Sequence, residues 1–278
     1  MNTARNQPRF EPLEHRVLRS ATLEGNELHI VGTTKNDTIS VYVNKVNHGL
    51  INVKIGKTVS TFNVTDVGKI WINGGRGDDR ISIDQSNGVI NDATTIYGGI
   101  GDDSITGGGG RDRIICGSGD DSVNGNSGSD IIYGDAGDDT LAGQNGNDFI
   151  SGGLDDDSID SGAGNDRCTG DDGNDHLNGK AGNDSLEGDA GDDSILGGAG
   201  DDDILAGDGN DSCSGDDGND SIHGDAGDDS VFGDVGDDSV FGDAGADHFG
   251  SSDSSSEHKD KGEDDLADVG DDHGGGNG

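Results

Sequence analysis

The chain has 278 residues, a formal net charge of −41 at pH 7, 54 glycines and only 27% hydrophobic residues. This composition is typical of chains that cannot offset their conformational entropy by burying apolar side chains alone. The negative charge disfavours nucleic acid and anionic membrane surfaces as partners. The sequence contains no run of about 18 apolar residues, so no transmembrane helix is predicted.

Residues 1–20 are interpreted as a targeting-like segment. They include basic residues but lack the apolar region of a secretory signal peptide. The stretch FEPLEHRVLRSA at 10–21 resembles a short motif, often written LEPR-x-L-L, that many exported or surface bacterial proteins carry; His15 and Arg19 depart from it. This resemblance implies an extracellular or cell-surface protein and leaves the export route open.

Residues 21–97 are predicted to form a β-rich cap. The stretches NELHIVG, NDTISVYVN, LINVKIG and GKIWING alternate apolar and polar residues or are rich in β-branched residues, as strands are. Residues 32–40 and 74–82 each carry a nine-residue pattern, with Asp37 and Asp79 at its sixth position. We expect wider coils that cap the N-terminal end of a repeat structure, with Trp71 in the core of the cap.

Residues 98–250 consist of 17 consecutive nonapeptides, which begin GGIGDDSIT and GGGGRDRII. Position 6 is Asp in all 17 copies, position 4 is Gly in 16, position 1 is Gly in 14, and position 8 is always apolar. The block has 39 acidic and only 4 basic residues. Low-complexity disorder would bias the composition without keeping four columns in register, so the pattern predicts a repeated structural unit.

The pattern GGxGxDxUx, in which U is apolar, resembles the RTX (repeats-in-toxin) or haemolysin-type calcium-binding nonapeptide. The resemblance covers 153 of the 278 residues. It implies an all-β fold, namely a right-handed parallel β-roll. In such a roll each nonapeptide supplies a six-residue turn and a three-residue strand, and two nonapeptides complete one coil.

Elementary geometry agrees with a roll. Position 8 faces the opposite way from positions 7 and 9 of a strand, so one apolar side chain per copy can point inward. The Asp at position 6 then faces the Asp 18 residues further on, at about 4.8 Å, and two such carboxylates repel each other without a cation. Calcium takes six to eight oxygen ligands, whereas zinc prefers Cys or His. An EF-hand is excluded because its loop ends in Glu, and Glu187 is the only Glu of the block.

The position-6 aspartates are therefore the predicted calcium ligands. With alternate copies on opposite edges, one Ca²⁺ between each consecutive pair gives at most 15 ions. In the copy at 152–160, Asp155 replaces the turn glycine, and we expect altered sites in that coil. The predicted metal ligands are Asp79, Asp103, Asp112, Asp121, Asp130, Asp139, Asp148, Asp157, Asp166, Asp175, Asp184, Asp193, Asp202, Asp211, Asp220, Asp229, Asp238 and Asp247.

Residues 251–278 are polar and without periodicity, and are predicted to be a disordered acidic tail. RTX proteins commonly leave the cell through a type I channel that reads their C-terminus. That signal usually carries apolar residues, and this tail has little beyond Leu266 and Val269. The tail therefore does not decide the export route.

No catalytic constellation is present in the sequence. HExxH, GxSxG and P-loop motifs are absent, so no enzymatic activity is predicted. Cys168 and Cys213 occupy position 8, where a free cysteine behaves as a small buried hydrophobe. Cys116 replaces a turn glycine, and we expect it to be exposed, as we do His176 and His223 on the outer faces.

The predicted function is calcium binding by an exported structural or surface repeat protein, which folds as it binds many ions. The alternative is a calcium-dependent module that binds carbohydrate, such as a cell-surface or matrix polysaccharide, as the calcium-binding modules of alginate epimerases do. Ice binding is disfavoured because position 3 lacks a row of Thr. An enzyme would need a separate catalytic domain, for which residues 1–97 offer no candidate.

Overall fold

The computed structural model describes residues 20–88, 90 and 93–249, together with the backbone of a strand at 257–260. The predicted targeting-like segment up to residue 19 and most of the predicted acidic tail lie outside these residues. Among the described residues, no helix is long and apolar enough to span a membrane.

Two mostly parallel sheets build the molecule, and from β6 onward the chain alternates between them. The N-terminal part contains β1 (Ser20–Glu24), β2 (Glu27–Val31), β3 (Thr38–Val43), β4 (Leu50–Ile55), β5 (Thr58–Asn63), a 3-10 turn (Val64–Asp66), β6 (Lys69–Arg76), β7 (Arg80–Asp84) and β8 (Thr94–Ile100). The repeat block continues with β9 (Ser104–Thr106), β10 (Arg113–Ser118), β11 (Ser122–Asn124), β12 (Ile131–Ala136), β13 (Thr140–Asn145), β14 (Phe149–Leu154), β15 (Ser158–Ala163), β16 (Arg167–Asp172) and β17 (His176–Ala181). It ends with β18 (Ser185–Ala190), β19 (Ser194–Ala199), β20 (Asp203–Asp208), β21 (Ser212–Asp217), β22 (Ser221–Ala226), β23 (Ser230–Phe232), β24 (Ser239–Asp243), β25 (His248–Phe249) and β26 (Glu257–Asp260).

The topology is that of a β-solenoid, as the sequence predicts. Sheet A has the strand order β1-β2-β6-β8 and then every even-numbered strand to β26. Sheet B runs back from β25 through every odd-numbered strand to β7, and then continues with β3, β4 and β5. Within the repeat block each strand pairs in parallel with the strand 18 residues further on, for example Ile132 with Ile150. Strand β26 was not predicted from the sequence; it pairs in parallel with β24.

The core is a single row of aliphatic side chains on each sheet. Position 8 is buried throughout β9 to β24, as in Ile132, Ile150 and Leu177, while positions 7 and 9 face outward. Position 1 is also buried, because it follows position 9 in the strand and so points inward again. Cys168 and Cys213 lie in the core as free thiols, as predicted.

The strands of the block are longer than the resemblance implies. Most span six residues, namely positions 7–9 of one copy and positions 1–3 of the next, so the turn is confined to positions 4–6. The pairing omits position 1 and resumes at position 2. Position 2 needs a positive φ, which Asp and Asn adopt more readily than most residues; Asp189 has a φ of 73°.

The N-terminal coils are wider than those of the block. The backbone N–H of Asp37 donates a hydrogen bond to Oδ1 of Asp79, 42 residues further on, and the N–H of Asp79 donates to Oδ1 of Asp103, 24 residues further on. From Asp103 onward the corresponding partners are 18 residues apart. The extra residues of the first coil form the antiparallel strands β4 and β5, which extend sheet B. The expectation that Trp71 lies in the core was wrong. Its neighbours Ile70 and Ile72 point inward, and strand alternation places Trp71 on the outer face, half-buried.

Strand β14 offers a matched test of the core. Ile150 is fully buried, whereas Leu154 in the same strand is 51% exposed. We expect Ile150→Ala to lower the free energy of unfolding by about 2–5 kcal/mol in saturating calcium, because it leaves a cavity in the row. Leu154→Ala should change it by less than about 1 kcal/mol. Urea unfolding followed by circular dichroism measures both, and equal losses would contradict the assigned faces.

Candidate metal centres

The predicted ligands all lie inside the roll. From Asp79 to Asp238 the position-6 side chains are buried, with at most 6% of their surface exposed. Asp247 in the last copy is half-buried. Position 6 is the last residue of the turn. Its side chain points inward, whereas that of position 7, the first residue of the next strand, points outward. The structure thus stacks these aspartates in two columns, one at each edge of the roll.

A hydrogen-bond ladder joins successive aspartates of each column. The backbone N–H of Asp103 donates to Oδ1 of Asp121 at 2.6 Å, and the N–H of Asp121 donates to Oδ1 of Asp139 at 2.7 Å. The pattern repeats down both columns to Asp229 and Asp247, where the distance is 3.1 Å. The carboxylates therefore do not simply face each other, as the sequence analysis supposed. A main-chain amide lies between them and satisfies one oxygen of each.

The second carboxylate oxygen, Oδ2, is the notable feature of the columns. A buried carboxylate oxygen without a partner opposes folding, because it has lost its hydration. Among the residues that the structure describes, Oδ2 is buried without a hydrogen-bond partner in Asp79, Asp103, Asp121, Asp130, Asp139, Asp148, Asp157, Asp175, Asp184, Asp193, Asp202, Asp211, Asp220 and Asp229.

These oxygens converge with main-chain carbonyls on a space next to position 1. A Cβ on Gly224 would lie 2.6 Å from Oδ2 of Asp229 and 2.8 Å from the carbonyl oxygen of Gly242, one coil further on. On the other edge, a Cβ on Gly179 would lie 2.5 Å from Oδ2 of Asp184. A side chain at position 1 would therefore collide with oxygen atoms that glycine leaves accessible. The charge and the all-oxygen donor set fit Ca²⁺, which binds carboxylate and carbonyl oxygens.

Comparison with known families agrees with this geometry. A family model described as the RTX calcium-binding nonapeptide repeat matches residues 71–90, 91–123, 116–150, 142–177, 178–213 and 214–249. The chain belongs to the RTX family. It is therefore a calcium-binding repeat protein, and the predicted β-roll is confirmed. No curated protein sequence matches the chain.

Three copies of the RTX roll carry a side chain where the others have position-1 glycine. Cys116, Ser161 and Ala206 are each completely buried, so the expectation that Cys116 is exposed was wrong. The Ser161 hydroxyl donates a hydrogen bond to the Gly179 carbonyl at 2.7 Å. Burial, together with the charge of Asp121, raises the pKa of the Cys116 thiol well above its usual value. In these copies a side chain lies beside the position-6 carboxylate.

The coil with Asp155 keeps the regular ladder, and the expectation that its calcium sites are altered stays a prediction. Asp155 occupies the position-4 turn with a φ of 76°, a left-handed conformation that Asp tolerates. The N–H of Asp157 donates to Oδ1 of Asp175 at 2.7 Å, as in neighbouring coils. The turn-glycine position therefore accepts this substitution without a change in the ladder.

A second ladder, which the sequence analysis missed, runs along the outside of the turns. The N–H of Asn174 donates to the side-chain oxygen of Asp156 at 2.8 Å, and the N–H of Asp192 donates to that of Asn174 at 2.9 Å. These are position-5 residues, which are Asp or Asn in most copies. That column is the signal that could have found the ladder, since an Asx side chain readily accepts from a nearby amide.

Burial changes the protonation of the inner columns. Desolvation raises the pKa of Asp184 to about 7, although the amide of Asp166 counteracts it and the charges of Asp166 and Asp202 add to it. Burial likewise raises the pKa of Asp175 to about 6. Unfolded Asp has a pKa of about 3.9. The folded, calcium-free roll therefore binds more protons than the unfolded chain does between these values.

This difference predicts how pH acts on the calcium-free protein. Because the folded pKa values lie above the unfolded ones, the protons stabilise the roll below about pH 4, and this stabilisation is lost as the pH rises through about 6–7. We expect more β-structure at about pH 5.5 than at about pH 8 in calcium-free protein, measured by far-UV circular dichroism. Equal spectra, or more structure at the higher pH, would contradict the burial of these carboxylates.

Proposed function

We propose that this chain is a non-catalytic, exported structural protein of the cell surface or extracellular space, whose RTX roll folds as it binds many calcium ions. The observation that carries the proposal is the row of buried Oδ2 atoms without hydrogen-bond partners. Export is supported by the resemblance of residues 10–21 to a motif of exported proteins. It is also supported by the millimolar calcium outside cells, which extracellular calcium modules match with dissociation constants of about 10⁻⁴–10⁻³ M.

The chain's own residues explain why folding depends on the cation. Closing each coil buries two carboxylates, and residues 98–250 carry 39 acidic residues against 4 basic ones. At low calcium this cost opposes the roll and favours an unfolded chain. Bound calcium would neutralise the carboxylates and coordinate Oδ2 together with the carbonyls near position 1. Since each coil contacts only its neighbours, the roll then grows coil by coil.

We further propose that the position-6 aspartates from Asp103 to Asp247, together with Asp79, supply the carboxylate ligands. The limit of 15 ions follows from one ion between each consecutive pair in the block. The buried side chains of Cys116, Ser161 and Ala206 support a smaller number, because each occupies space beside a position-6 carboxylate. The strongest sites are expected where position 1 is glycine.

The adjacent residues Asp192 and Asp193 provide a matched test of this ligand assignment. Asp193 is buried in the inner column, whereas Asp192 is exposed at position 5. We expect Asp193→Asn to weaken calcium binding at the neighbouring sites by roughly tenfold, a change of about 1.4 kcal/mol. Asp192→Asn should have no effect, because Asn174 and Asn210 already occupy position 5 in the adjacent coils.

Calcium titration followed by far-UV circular dichroism, together with isothermal titration calorimetry, measures both variants. Magnesium serves as the control ion, because it demands octahedral geometry with shorter bonds. A cooperative gain of β-structure with calcium alone supports the proposal. A spectrum indifferent to calcium, or equal affinities for the two variants, would remove its basis.

A second candidate function is calcium-dependent binding of a polysaccharide. It is favoured by an aromatic row on the outer face of sheet A. The Trp71 ring lies 5.6 Å from the His29 ring and 5.7 Å from the Tyr97 ring, centroid to centroid. Further along the same face Arg113 lies 4.9 Å from the centroid of the Tyr133 ring. Aromatic rings at a surface offer apolar faces with polar edges, which suits the faces of sugar rings.

Trp71 reports on this candidate directly, because it is the only tryptophan. If the row binds polysaccharide, alginate or a neutral glucan should change the tryptophan fluorescence of the calcium-loaded protein in a saturable manner. Trp71→Ala should abolish retention on the same polysaccharide, whereas Phe232→Ala on sheet B should not. Unchanged fluorescence with both polysaccharides would exclude these ligands for this face.

A further inference from the structure

A histidine and two aspartates meet on the outer face of sheet A, outside the calcium columns. His223 and Asp225 belong to β22, and Asp243 belongs to β24, the next strand in the sheet. One donor atom from each lies within 4.8 Å of the other two. His223, Asp225 and Asp243 are not fully buried, so the cluster is accessible to solvent.

The histidine ring is held in place by its neighbours. It stacks on the Phe241 ring, with centroids 4.6 Å apart and an angle of 13° between the planes. Its Nδ1 atom lies 2.8 Å from Oδ2 of Asp243. This is a hydrogen-bond distance, so the two groups already converge on one point at the surface. Adjacent ligands of a tetrahedral ion with bonds of about 2.1 Å lie about 3.4 Å apart. An ion would therefore replace this hydrogen bond after a small separation of the imidazole and the carboxylate.

The repeat itself creates this arrangement, and sheet B contains a version without histidine. There the Ser214 hydroxyl lies 2.9 Å from Oδ1 of Asp216 and 2.5 Å from Oδ2 of Asp234. In both clusters a position-9 residue lies beside two position-2 carboxylates, one in the next copy and one a full coil later. These are Asp216 and Asp234 for Ser214, and Asp225 and Asp243 for His223. The two clusters differ in donor chemistry, since one offers oxygen alone and the other adds an imidazole nitrogen.

The surroundings of His223 attract cations. The cluster lies at one end of an open groove along sheet A that is lined by acidic, alanine and glycine residues. No lysine or arginine lines this groove among the described residues. The carboxylates that line it are those of Asp171, Asp172, Asp189, Asp208, Asp225 and Asp243.

We propose that His223, Asp225 and Asp243 form a site for a first-row transition metal ion such as Zn²⁺, distinct from the calcium columns. Imidazole nitrogen favours zinc, nickel and copper over calcium, which prefers oxygen alone. Three protein ligands leave at least one coordination position for water or for a group on another molecule. The site is complete only when the coils stack, because Asp243 lies 20 residues from His223. Zinc binding at this site therefore requires the folded roll, and in that respect the inference rests on the proposed calcium-dependent folding.

Zinc titration of the full chain in excess calcium tests this site. Isothermal titration calorimetry should show one zinc ion in the wild type that His223→Ser, which copies the arrangement at Ser214, loses or binds at least about tenfold more weakly. His176→Ser is the matched control. His176 is exposed at position 7, and its ring forms a hydrogen bond with the Ser194 hydroxyl, so this variant should bind zinc as the wild type does.

The reverse substitution tests the same idea by gain of function. Ser214→His places an imidazole between Asp216 and Asp234, and should add one zinc ion per chain. Cobalt substitution gives a second readout, since visible absorption reports nitrogen and oxygen ligands directly. Circular dichroism in calcium, recorded for every variant, separates failure of the site from failure of the roll to fold. Equal zinc binding by folded wild type and folded His223→Ser, or no zinc binding by folded wild type, would overturn the proposal.

Discussion

The whole roll depends on one interaction, the placement of a carboxylate inside each turn. Its Oδ1 accepts the amide of the aspartate one coil earlier, as Asp121 does from Asp103, and so fixes how neighbouring coils align. Its Oδ2 is buried without a hydrogen-bond partner in most copies. Because a desolvated carboxylate opposes folding, the residue that sets the register is also the one through which we propose that calcium binding is coupled to folding.

The 18-residue coil keeps the environments of the different repeat positions separate. Each position of the nonapeptide forms its own column, so a change remains within one environment that is repeated along the roll. Inside, Ser161 at position 1 fills a space that glycine leaves open. Outside, His223 at position 9 adds nitrogen to a carboxylate pair that is otherwise closed by a hydroxyl. A uniform scaffold can in this way carry sites of different chemistry without altering its core.

Much of the fold was predictable because the columns are local. Position 8 alternates with its neighbours in any strand, so the core residues from Ile105 to Val240 could be read directly. The prediction failed at two residues. Trp71 lies between Ile70 and Ile72, which point into the core, so its own side chain points outward. Cys116 was predicted to lie in a turn, but the strand continues through it. The length of the strands could not be predicted, since it depends on pairing across coils after position 1.

By itself, the sequence determined the repeat unit, the inward position of its aspartates and apolar residues, and the preference for a hard cation. These properties follow from residue type and spacing within nine residues. Only the tertiary structure decided which oxygens remain without partners, which position-1 residues lie beside a carboxylate, and that His223 meets Asp243. The physical reason is that each of these facts requires the stacking of one coil on the next. Residues that come into contact in this way are 18 to 42 positions apart in the chain.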